Sequence, residues 1–238
     1  MSNKKYGFEG TVNPTDISKG LSEYWEKNNI VYSIENTVFK VEFDNEEQEE
    51  EAQKTANLFI SCWNLNNNTH LIVDFNHSWR PGEDNGKNIS LKLSDSLTVR
   101  DTTKTIHKAS SERGMYVVGK FKSNSFVENS LLVEKALKDE ALRKAIEFYS
   151  EEVTDSKRPL CGIYKAVESL TKHLKKEHHK DGRKALGELA GKDETFVDEI
   201  MQSTQFQRHS KTDAKVKLSD EECKSRTKTL IQAYADSI

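Results

Sequence analysis

The chain has 238 residues, 32% of them charged, with a formal net charge of -3 and a mean hydropathy of -0.79. That length allows one large domain or two small ones with a real core. The apolar residues fall in periodic runs, which excludes disorder throughout; no run approaches the roughly 20 apolar residues of a membrane helix.

The opening MSNKKYGFEG lacks the apolar stretch of a secretory signal, so a cytoplasmic protein with no membrane partner is expected. The first half reads as strand and helix together. In TVFKVEFD (37–44), Phe39, Val41 and Phe43 alternate with Lys40 and Glu42, the period of a half-buried strand. DNEEQEEEAQKTANLFISCWNL (44–65) then takes a helical period, with Ala52, Ala56, Phe59, Ile60 and Trp63 as its apolar stripe. Asp44 or Asn45 can cap it, and the glutamates of 46–51 suit the positive end of the helix dipole. Further strands are expected over 70–79, 89–94, 97–103 and 115–121, with a turn-rich loop at 80–88. The gaps between these later strands are too short for helical crossovers, which favours antiparallel pairing.

From about residue 128 the strand signal gives way to helical periods. Helices are expected over 129–153, over 158–176 with Pro159 in the first turn, and over 182–191 with a glycine on either side. Two more follow, over 193–209 with Asp193 as cap, and over 219–238 with Ser219 and Glu222 as a capping box. The fold class is therefore α+β: an N-terminal small mixed or antiparallel sheet with a packed helix, then an all-α antiparallel helical bundle. The expected domains are 1–127 and 128–238, the boundary falling between 128 and 158, with TDSKRP (154–159) as the candidate hinge.

Cysteine usage fits a reducing compartment. Cys62, Cys161 and Cys223 are far apart, with no CxxC spacing, and read as thiols rather than a disulfide frame or zinc site. Cys161 and Cys223 fall on apolar helix faces. His178, His179 and Asp181 close a helix without a third ligand at metal spacing, so neither metal nor cofactor is expected.

LCGIYKAVESL, RKALGELAG, FQRHS and the terminal LIQAYADSI together resemble the helical domain of the HEPN superfamily over residues 130–238. The likeness is closest to HEPN-like regions that follow an α+β domain in bacterial proteins. It implies a compact all-α bundle, homodimerisation through that bundle, and a setting of RNA cleavage, phage defence or toxin–antitoxin biology. Ribonucleases of that superfamily separate an arginine from a histidine by several residues. Arg208 and His209 are the catalytic candidates here, and they are adjacent. The histidine would move a proton at a ribose hydroxyl and the arginine would hold the phosphate.

The charge is unevenly spread. Residues 158–238 carry +3 and residues 1–157 carry -6, which places an RNA or other anionic partner toward the C-terminal part. Arg183, Lys184, Lys211, Lys215 and Lys217 are the candidate nucleic-acid contacts. No aromatic residue interleaves with these cations, so they do not read as a stacking platform. The incomplete catalytic spacing favours a non-enzymatic interaction or regulatory protein, with a HEPN-type, metal-independent ribonuclease as the alternative.

Overall fold

The computed structural model describes residues 6–13, 22–67, 71–80, 123–154, 160–178, 181–209 and 218–238. The expected strands at 89–94, 97–103 and 115–121, and the loop before them beyond Arg80, lie outside the described residues. The fold is α+β, and the chain divides into two compact units. The first takes the described residues up to Trp63 and from 71 to Leu131; the second takes Asn64–Asn67 and those from Leu132 onward.

In the first unit, β1 (Tyr6–Asn13), β2 (Ser22–Lys27), β3 (Ile30–Glu35), β4 (Val38–Phe43) and β5 (Ile72–Trp79) form one sheet in the order β2-β3-β4-β1-β5. Every neighbouring pair is antiparallel. Because β1 runs opposite to both β4 and β5, those two are parallel, and the helix between them makes a split β-α-β unit. The β2–β3 hairpin turns on Asn28 and Asn29, both left-handed at φ 50° and 60°, the twist a two-residue hairpin needs. Asn36 takes φ 54° in the β3–β4 turn.

One sheet face is apolar. Phe8, Tyr32, Ile34, Phe39, Val41 and Phe75 are all buried there. Helix α1 (Glu49–Asn67), entered through a single 3-10 turn at Glu46–Gln48, lays Phe59 on that face. The Phe59 ring stands 5.7 Å from Phe39 and 6.2 Å from Trp25. Each such fully buried side chain contributes roughly 1.5–3 kcal/mol. On the opposite sheet face Trp79 lies across Gly7, so close that a Cβ there would come within 2.1 Å of the indole. The ring shields backbone that a glycine leaves bare, and Lys40 caps it at 5.2 Å.

The glutamates at the start of α1 have structural partners. Arg80 bonds Glu46 at 3.0 Å and Glu49 at 2.8 Å, Lys54 bonds Glu50, and Asn28 donates to Glu51 at 2.7 Å. Gln48 reaches back to the Asp44 and Asn45 amides and donates to the Asn28 carbonyl. The acidic run thus ties the helix entry to the β2–β3 hairpin and to Arg80.

The second unit is helical. Helix α2 (Ser123–Lys138) runs into it, followed by α3 (Glu140–Thr154), α4 (Cys161–His178), α5 (Gly182–Leu189), α6 (Glu194–His209) and α7 (Asp220–Asp236). Its core holds Leu142, Ile146, Ile163, Val167, Leu186, Val197, Ile200, Leu230 and Ile231, each essentially without solvent exposure. Tyr164 is buried beside them. The single helix expected over 129–153 is two helices, because Asp139 leaves the helical path and its carboxylate caps α3 by accepting the Leu142 amide at 2.7 Å. Leu137, in the last turn of α2, is exposed. Helices α3 and α4 run in opposite directions, since Phe148 meets Lys165 at one end and Asp139 meets His173 at the other. Pro159 lies outside the described residues. Leu160, buried and left-handed at φ 65°, immediately precedes α4, and its carbonyl accepts the Tyr164 amide.

Candidate functional site

Arg208 and His209 are the last two residues of α6. Their side chains, and all of Lys211, Lys215 and Lys217, lie outside the described residues. Arg183 stands in α5 and donates to the Asp198 carboxylate of α6 at 2.7 Å, so its guanidinium joins two helices. Lys184 beside it is exposed. Asp181 caps α5 by accepting the Arg183 amide at 2.9 Å.

The polar constellation that the described helices do assemble was not singled out from sequence. It gathers where the α2–α3 break, the second half of α4 and the last turns of α7 meet. Asp139 is the hub. One carboxylate oxygen accepts the Leu142 amide; the other accepts the Tyr234 hydroxyl at 3.1 Å and faces His173 Nε2 at 3.9 Å. His173 Nε2 lies 3.1 Å from Glu177, one turn along α4, and its ring meets Tyr234 edge-on at 6.0 Å. Lys135 donates to the Ala235 carbonyl, adding a link from α2 to the same turn of α7.

Burial and then the Asp139 carboxylate hold the Tyr234 phenol well above the ordinary tyrosine value, because both disfavour a phenolate. The phenol stays a neutral donor, and its ring is 1% exposed. A carboxylate bonded to a phenol and an amide while facing an imidazole orients protons well. Here Asp139, at the start of α3, holds Tyr234 of α7 and faces His173 of α4, while Glu177, the nearer partner of His173, lies on α4 itself. Among the described residues no three His, Cys, Asp or Glu side chains could hold a metal ion.

The sequence carried a faint signal for the Asp139 cap, though none for its partners. The stretch LKDEAL places an aspartate directly before a glutamate that opens a new helical turn, a start signal inside an otherwise continuous apolar period.

A second polar group joins α6 and α7. Arg226 donates to Glu199 at 2.8 Å and stacks on Phe196 at 4.8 Å, and Lys192 stands 5.7 Å from the same ring. Both helices open on carboxylate-assisted caps. The Thr195 hydroxyl and then the Phe196 amide hold Asp193 below the usual carboxylate range; the Ser219 amide and then its hydroxyl do the same for Glu222. A carboxyl whose folded pKa is depressed adds stability above its unfolded value and loses it as pH falls through the folded one. Denaturant midpoints should therefore fall on acidification through and below the ordinary carboxylate range. Asp193→Asn combined with Glu222→Gln should lower the neutral-pH midpoint and flatten that slope. An unchanged slope would show that neither cap contributes.

Cys62 and Cys223 are completely buried, and burial pushes the Cys223 thiol up to about 11. Comparison with protein-family models, with curated proteins and with solved structures found no match for this chain.

Proposed function

We propose that the protein acts by binding: an interaction or regulatory protein whose C-terminal helices form a HEPN-like bundle, engaging RNA or another anionic partner in a bacterial defence or stress response. Self-association through the bundle belongs to the same reading. The observation that carries it is how the helical unit uses its polar groups. The Tyr234 hydroxyl is held by Asp139, His173 stands between Asp139 and Glu177, and Arg183 and Arg226 are held by Asp198 and Glu199. Groups committed in this way make a rigid scaffold and leave its outer surface for a partner.

Structured and single-stranded RNAs incubated with the purified chain test the reading. Binding without cleavage is the expected result. Cleavage that His209→Ala abolishes would overturn it in favour of a HEPN-type ribonuclease using Arg208 and His209.

A further inference from the structure

We propose that the solvent face of α4, together with the seam it makes with α3, is the docking surface for the phosphate backbone of a single-stranded nucleic acid. This inference rests on the binding role just argued and names its surface, which is not the basic sequence that follows α6. Lys165, Lys172 and Lys176 occur at i, i+7 and i+11, within a narrow arc of the helix, and span about 16 Å of its axis. Lys175 lies beside them, and all four lysines are exposed. Glu168 is the carboxylate that flanks that arc, and it is bonded to Lys172 at 3.2 Å.

Across the seam, α3 contributes Arg143 and Lys144 and the acidic Glu140, Glu147 and Glu151. Glu140 is bonded to Lys144 at 2.7 Å, and Arg143 and Lys176 add to the field that keeps its carboxyl below the usual range. Burial acts oppositely on Glu147, raising its pKa. Glu177, at the end of α4, is turned to His173. The α4 arc keeps a cationic excess after these pairings.

An aromatic ring completes the surface. Phe148 of α3 is half-buried, and Lys165 stands over it at 5.2 Å. A cation beside a partly open ring at one end of a lysine stripe matches a strand that stacks a base and lays its phosphates along the helix. A row of charges along one helix fits a linear polyanion better than it fits a compact anion.

Titrating fluorescein-labelled polyuridine with the full chain at several salt concentrations tests this. The Lys165→Glu/Lys172→Glu/Lys176→Glu variant, whose changes are all at exposed positions, should bind at least about tenfold more weakly, with a log–log salt slope shallower by about 2. Phe148→Ala should weaken binding without changing that slope, and the triple Lys→Arg variant should bind as the parent does. If the glutamate variant keeps the parent affinity while Lys211→Glu/Lys215→Glu/Lys217→Glu loses it, the α4 surface is wrong and the binding role stands. If the parent chain binds neither polyuridine nor a structured RNA, the binding role falls with it.

Discussion

Gly182→Ala is expected to destabilise the helical unit by about 3 kcal/mol, near the upper end of the usual cost of overpacking. Gly182 opens α5 against the α4 backbone, and a Cβ there would lie 1.9 Å from the Thr171 carbonyl oxygen. The obstruction is main chain inside a helix, so no rotamer change relieves it; α5 must shift away from α4. That shift would disturb the Arg183–Asp198 pair and the packing of Leu186, which is completely buried. Gly191 provides the contrast. It is left-handed at φ 64°, with open space where a Cβ would project, so Gly191→Asn should cost well under half as much. Urea unfolding followed by far-ultraviolet circular dichroism measures both. Equal effects would mean that the close approach of α5 to α4 is not what Gly182 permits.

Asp139→Ala is expected to cost about 3 kcal/mol. About 1 kcal/mol comes from the lost cap of α3, and the remainder from a buried Tyr234 hydroxyl left without its acceptor. Tyr234→Phe removes donor and demand together and should cost only about 1 kcal/mol. With both changes present, the loss should fall short of the sum of the single losses by about 2 kcal/mol, because the orphaned-hydroxyl penalty vanishes with the hydroxyl, the signature of a direct coupling. Strict additivity would separate the two residues energetically and remove the brace between α3 and α7.

The elements legible from sequence were those whose local chemistry and apolar period agree. Ser219 and Glu222 form the capping box read from their spacing, Asp193 caps α6 through the Phe196 amide, and Phe39, Val41 and Phe43 are buried on one face of β4. The strands β1, β2 and β3 were not read. Gly7 and Gly10 interrupt the alternation of β1, and β2 lies at the edge of the sheet among the described residues, its Tyr24 74% exposed, so burial marks only part of its pattern. The hairpin signal lay in Asn28–Asn29, a weaker cue than Asn-Gly for two left-handed residues. Asp139 was hidden by continuity: apolar residues on both sides keep a helical period through the break. Its partners His173 and Tyr234 lie 34 and 95 positions away, beyond any local pattern. The α4 lysines, by contrast, were visible as charges, but their relation to Phe148 depends on how α3 and α4 pack.

The role assigned to the helices is tested most directly by incubating end-labelled single-stranded RNA with excess intact protein and resolving it on native and denaturing gels. The expected result is a shifted complex in the native gel, from which the RNA is recovered at full length. Shortened RNA that accumulates with time, and that disappears in the His209→Ala protein, would contradict it.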